Sequence, residues 1–131
     1  MTKYISSVGR RKEASVRVRL IKASGDHLVN GKVFSNYFPG KLAKLHLEKP
    51  FKLTNTLGKY YFTAITSGGG KIAQLQALVS GIAKALVKVE KANYRPSLKK
   101  AGLLTRDARI RERRKVNTGG KARRAKQSPK R

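Results

Sequence analysis

Beyond Leu104 the chain offers only two large aliphatic side chains, Ile110 and Val116. A stretch this poor in apolar groups has too little surface to bury to offset the entropy of ordering its backbone. Residues 95–131 hold 15 Lys and Arg against 2 Asp and Glu, a net +13, while residues 1–94 hold 17 against 4, also +13. The sequence therefore predicts two parts: a body over 1–101 that can close one core, and a basic arm over 102–131 that orders only against a partner. A body of about 100 residues has a radius of gyration near 13 Å. A fully extended arm of this length reaches about 100 Å. Such a chain can be anchored in one place and probe another.

The total charge of +26 on 131 residues would strain a compact monomer by self-repulsion, so a polyanionic partner is implied. Nucleic acid is favoured, because each phosphate contact releases condensed counterions. An acidic membrane surface is the weaker alternative, and no apolar run approaches the ~20 residues of a spanning helix. There is no cysteine. That excludes disulfides and thiolate-held zinc or iron–sulfur groups and suits a reducing compartment. Residues Met1 to Ser6 carry no apolar signal core, so the protein is expected to work where it is made, in the cytosol or an organelle that encodes it. His27 and His46 are the only histidines, and the acids Glu13, Asp26, Glu48, Glu90, Asp107 and Glu112 are scattered. No metal constellation, catalytic pair or triad stands out. The expectation is a protein without cofactor that is not an enzyme.

Within the body, Tyr4–Val8 reads as a strand, broken by a basic loop at Gly9-Arg10-Arg11-Lys12-Glu13. Ser15–Lys22 is a second strand whose Val16, Val18 and Leu20 should face a core. Arg17 and Arg19 then lie on the opposite face, either simply solvated or on a partner. Asn30-Gly31 predicts a tight hairpin with a type I′ turn. Lys41–Glu48 fits a short helix or a strand, Phe51 and Leu53 begin an extended piece, and Asn55–Lys59 is a turn. Tyr60–Thr66, rich in aromatic and β-branched residues, is a third strand. The clearest helix is Ile72–Val89, with Ile72, Leu75, Val79, Ile82, Leu86 and Val89 on one stripe and Leu78 and Ala85 widening it. Gly81 costs that helix ~1 kcal/mol against Ala, for which a close backbone approach is one reason. Tyr94-Arg95-Pro96 should break the chain before a short helix at about Ser97–Ala101.

Two basic motifs are candidate contacts. Gly68-Gly69-Gly70-Lys71 stands between a strand and a helix and is either a tight turn or an anion cradle in which free amides and Lys71 meet phosphate. It is not a nucleotide-hydrolysis loop, because Ile65 and Ile72 occupy positions that motif reserves for Gly and Ser/Thr. Three adjacent cations at Arg10-Arg11-Lys12 concentrate positive potential and suit phosphate. Further candidates for phosphate contact are Lys99 and Lys100, then Arg106, Arg109, Arg113, Arg114, Lys115, Lys121, Arg123 and Arg124 along the arm.

Several stretches, in order, carry a resemblance. They are Gly9-Arg10-Arg11-Lys12 with the strand after it, Asn30-Gly31 with Tyr37-Phe38-Pro39, Thr56-Leu57-Gly58-Lys59, the three glycines at 68–70, and Gly81-Ile82-Ala83-Lys84-Ala85-Leu86. The longest runs from Tyr94 to Asp107, and Lys121-Ala122-Arg123-Arg124 completes the set. Together they resemble the bacterial-type small-subunit ribosomal protein number nine family. The resemblance implies an α+β body of the left-handed β-α-β type, a small sheet with packed helices, followed by a long extended basic tail. It also implies binding to 16S-type ribosomal RNA in the head of the small subunit, with the arm directed to the peptidyl-site tRNA. Neighbouring head proteins numbers seven, ten and fourteen are implied as partners. In that family an aromatic and a serine precede the terminal Lys-Arg; here Ser128 and Pro129 stand in their places, so the tRNA role carries over to Lys130 and Arg131 alone. Rival readings are a protein cofactor of a catalytic RNA and a DNA-packing protein.

Overall fold

A computed structural model describes residues 3–110 and 112. The described residues form an α+β fold around a five-stranded sheet. Strands β1 (Tyr4–Arg11) and β2 (Ala14–Ile21) make an antiparallel hairpin, and β5 (Tyr61–Ser67) pairs antiparallel with β2. The two-residue strands β3 (Leu28–Val29) and β4 (Lys32–Val33) extend the sheet in the order β1-β2-β5-β3-β4. Because β3 runs parallel to β5, the chain must cross over between them. The crossover comprises β4, α1 (Phe34–Tyr37) and α2 (Lys41–Leu53). Asn30 and Gly31 both have positive φ, 51° and 81°, as a type I′ turn requires.

Alternation along β2 puts Ala14, Val16, Val18 and Leu20 in the core, as their spacing predicts. Helix α3 (Lys71–Val89) lies across the inner face of β1 and β2, and α4 (Lys91–Lys100) and α2 pack on it. By length and composition α3 is apolar enough to cross a bilayer, but most of it is buried in this core. A second part of the core is aromatic: His27 stacks on Phe62 and Phe51, with Phe34 edge-on to Phe62.

Helix α3 is closest to the sheet at a pair of glycines. A Cβ on Gly9 would lie 1.8 Å from the Ala77 carbonyl oxygen, and one on Gly81 would lie 2.9 Å from a Val18 methyl. Gly81 thus serves the backbone approach that its mid-helix position suggests. The same closeness explains a difference in the buried stripe. Ala73, Ala77, Leu78, Ile82, Ala85 and Leu86 are buried, whereas Ile72 is 77% exposed. Small residues mark the contact line, and a stripe drawn through the large aliphatics is rotated off it.

Other boundaries also differ from the sequence reading. β1 does not stop at Val8; Arg10 and Arg11 pair with Ser15 and Ala14, and only Lys12 and Glu13 form the turn. α2 continues through Phe51 and Leu53 instead of turning extended, because Leu47, Pro50 and Phe51 form its buried stripe while Leu42 and Leu45 face solvent. Pro96 lies inside α4, which starts six residues earlier than expected, at Lys91, and is fixed by the fully buried Leu98. Tyr94 is helical and donates its amide to the Glu90 carbonyl.

Edge strand β1 is guarded from the helix side. Lys84 and Lys88 of α3 donate to the Val8 and Ser6 carbonyls at 3.4 and 2.6 Å. Occupying free carbonyls with lysine is one way a sheet edge is kept from pairing with another chain.

Candidate nucleic-acid interface

Strand pairing at the hairpin separates the three adjacent cations. Alternation sends Arg10 outward on the open face of the sheet and Arg11 inward, while Lys12 occupies the turn with φ 53°. The charges are therefore not gathered at one tip.

Arg11 is committed inside the molecule. Its side chain is 12% exposed and sits 3.5 Å from the Asp107 carboxylate. Its Nε donates to Gln76 Oε1 at 2.9 Å, and an η-nitrogen donates to the carbonyls of Arg109 at 2.7 Å and Asp107 at 3.3 Å. These bonds join strand β1, helix α3 and the first residues of the arm. Leu103 and Leu104 press onto the core, and the Leu103 amide donates to the Leu98 carbonyl. Between the arm root and α3 lies a groove of about 300 Å³ bordered by Arg11, Ile72, Leu75, Val79 and Leu103. Asp107 also accepts from the Arg109 guanidinium at 2.7 Å and from the Arg109 amide at 3.0 Å. Those Arg109 bonds, with lesser help from the Arg11 charge, hold the Asp107 carboxyl well below the usual carboxylate range. Asp107 thus shapes the arm root. Arg11 lies 96 residues from Asp107 in sequence, so no local pattern announces their contact.

The glycine turn is demanded by packing. Gly68 and Gly69 have φ of 75° and 63°, and a Cβ on Gly68 would lie 2.5 Å from the Glu13 carbonyl oxygen. Lys71 Nζ sits 3.2 Å from the Tyr37 ring centroid and donates to the Tyr37 carbonyl at 3.3 Å. It remains exposed beside the α3 N-terminus, which has no side-chain cap. Tyr37 is bonded into the fold. Its hydroxyl donates to Gln74 Oε1 at 2.8 Å and lies 3.2 Å from Thr66 Oγ1. The Thr66 hydrogen bond, with the Lys71 charge, lowers the Tyr37 phenol from its ordinary value.

Lys99 and Lys100 are exposed in the last turn of α4, where their charge also suits the helix C-terminus. Arg106 is exposed, and Arg109 is exposed but ion-paired with Asp107. Arg113, Arg114, Lys115, Lys121, Arg123, Arg124, Lys130 and Arg131 lie outside the described residues. Among the described residues no three His, Cys, Asp or Glu side chains group as a metal site.

Cations spread over the hairpin, the open sheet face, the end of α4 and the arm root suit contact with an extended partner, as a basic scaffold protein makes it. Sequence comparison narrows that class. The ribosomal protein S9/S16 family matches residues 9–131. Similar proteins include the small ribosomal subunit protein uS9 of Leifsonia xyli, 48% identical over 96% of this chain and 74% of the relative. The protein of the same name from Arthrobacter sp. is 47% identical over the same shares. That of Maridesulfovibrio salexigens is 45% identical over 87% of each chain. The chain belongs to the ribosomal protein S9/S16 family. Membership makes it a small-subunit ribosomal protein of the ribosome in the cytoplasm, structural and not enzymatic.

Proposed function

We propose that this chain holds ribosomal RNA in the head of the small subunit with its body, residues 1–101, and lays its arm, residues 102–131, along that RNA to the peptidyl-site tRNA. Arg10, Lys12, Lys71, Lys99, Lys100 and Arg106 meet phosphates around the body and arm root. Arg113, Arg114, Lys115, Lys121, Arg123 and Arg124 neutralise phosphates farther along, and Lys130 and Arg131 meet the tRNA backbone. Arg109 shares its charge between Asp107 and RNA. Arg11 fixes the arm root and is not assigned a phosphate. Contacts of this kind read shape and backbone more than base sequence. Head proteins numbers seven, ten and fourteen are the proposed neighbours.

The observation that carries this reading is the family match, which spans the body and the cation-rich arm together, to Arg131. The test is removal of residues 128–131. Subunits carrying the shortened chain should assemble normally and release peptidyl-site tRNA faster. Unchanged tRNA affinity and reading-frame maintenance refute the tip's role. Identifying the RNA bound at high salt separates this reading from a catalytic-RNA cofactor or a DNA packer.

A further inference from the structure

The helices cover only one face of the sheet. On the other face, alternation and register assemble a surface that the contacts proposed above leave largely unused. One row across the strands is Val8, Arg17 and Ile65, and the next is Ser6, Arg19, Thr63 and Leu28. Tyr4, Ile21 and Tyr61 form a third row, and Arg10, Ser15 and Ser67 a fourth. No carboxylate is among these residues. Arg10, Arg17 and Arg19 are exposed, and among the described residues none of them is paired with an acid. Ile65, in the middle strand of the sheet, is 62% exposed, and Val8 and Tyr4 are also open to solvent. The Arg19 guanidinium lies 5.0 Å from the Tyr4 ring centroid. Beside it a hollow of about 180 Å³ is bordered by Arg17, Arg19, Leu28, Gly31, Thr63 and Ile65.

Three features decide what fits here. Arginine presents a planar fork that matches phosphate geometry, and unpaired forks on a rigid strand are already oriented. The aliphatic groups alternate with arginines and do not merge into one apolar patch, so the face lacks the continuous greasy centre of a protein–protein contact. Cross-strand neighbours are about 4.5–5.5 Å apart. That spacing sets Val8 and Ile65 on either side of Arg17, as riboses lie on either side of a phosphate.

We infer that the open face of β1, β2 and β5 is a second RNA-binding surface, on which Arg17 and Arg19 hold phosphates of one RNA strand while Ile65 and Val8 lie against its riboses. The inference rests on the ribosomal-RNA reading of the chain and adds to it a surface distinct from the arm. It also gives a role to the two strand arginines whose spacing alone left them between solvent and partner.

The test uses the full chain with both arginines replaced, Arg17→Gln and Arg19→Gln, and a separate Ile65→Glu variant. Both changes are on the solvent side of the sheet, so the melting temperature should be unchanged. Binding to small-subunit ribosomal RNA is measured against salt. Losing two phosphate contacts should flatten the slope of log K against log salt by about 1.4–1.8. Ile65→Glu should weaken binding at every salt concentration. Because the chain lacks cysteine, a single Ser6→Cys carrying an iron chelate should cleave the RNA bound across this face. A double variant that binds with the same affinity and slope as the unsubstituted chain overturns the inference and leaves the proposed function standing. So does crosslinking from position 6, in assembled subunits, to a protein and not to RNA. An unsubstituted chain that does not bind this RNA overturns both.

Discussion

Replacing Gly9 by alanine should do more damage than any other single methyl added to this fold. The new Cβ would sit 1.8 Å from the Ala77 carbonyl oxygen and 2.6 Å from the Gly81 amide nitrogen, both backbone atoms of α3. Neither can rotate away, so helix and strand must part. Relief requires a separation of at least ~1 Å, and gaps of ~0.5–1 Å forfeit a quarter to a half of the dispersion attraction between facing atoms. The loss falls on Val16, Val18, Ala77, Leu78 and Ile82, all fully buried at this contact. It also strains the bond from the Ser7 hydroxyl to the Gly81 carbonyl. Overpacking of this kind costs up to about 3 kcal/mol. Stiffening the unfolded chain returns roughly 0.4–1 kcal/mol. At that upper limit the net destabilisation is about 2 kcal/mol, or a fall in Tm of roughly 8–16 °C for a body of this size.

The control is Gly81→Ala. Its Cβ meets mainly a Val18 methyl, the end of a side chain, at 2.9 Å. The gain in helix propensity, about 1 kcal/mol, offsets much of that crowding. Circular-dichroism melts of the full chain at high salt, where self-repulsion is screened, give both values. A Gly9→Ala protein that melts with the unsubstituted one, or below which Gly81→Ala falls, would falsify the account of the sheet–helix contact.

Arg11→Met should free the arm root by removing three hydrogen bonds and one ion pair. A local loss of about 1–2 kcal/mol should speed tryptic cleavage at Arg106 and Arg109 roughly 5–30-fold, and an unchanged rate refutes the clasp. His27 accepts the Phe62 amide on Nδ1 and is desolvated, which lowers its pKa from 6.5 against the weaker pull of Asp26 and Glu48. A depressed histidine takes up its proton more readily in the unfolded chain, so stability is full above 6.5 and declines as pH falls from there toward the folded value. An NMR titration should place the His27 midpoint below 6.5, and a midpoint at or above it contradicts this. Leu98→Ala, at the one buried position of α4, should cost about 2–5 kcal/mol, measured by urea denaturation, with a loss under about 1 kcal/mol counting against a packed α4.

What could be read in advance was set by local pattern. The three long strands, the type I′ hairpin and α3 came from alternation, turn chemistry and periodicity, and all are present. The misreadings share a cause: burial was assigned by side-chain size. Ile72 falls on the expected apolar stripe and is exposed, whereas Ala77, Pro50 and Gly9 make the contacts. Tyr94-Arg95-Pro96 suggests a break, yet tertiary packing carries α4 through Pro96, as it carries α2 through Pro50. Among the cations, charge was visible and partnership was not. Arg10 and Arg11 are adjacent in sequence, yet one faces solvent and the other holds the arm root through a carboxylate 96 residues away.

The arm supplies the most direct measurement. Eight of its cations are assigned to ribosomal-RNA phosphates: Arg106, Arg109, Arg113, Arg114, Lys115, Lys121, Arg123 and Arg124. The full chain and a variant with all eight changed to glutamine should be titrated against small-subunit ribosomal RNA over a range of salt. If these side chains displace counterions, the variant's slope of log K against log salt should be shallower by about 5.6–7.2. Equal slopes for the two proteins would mean that the arm does not neutralise RNA, and the division of labour between body and arm would fail.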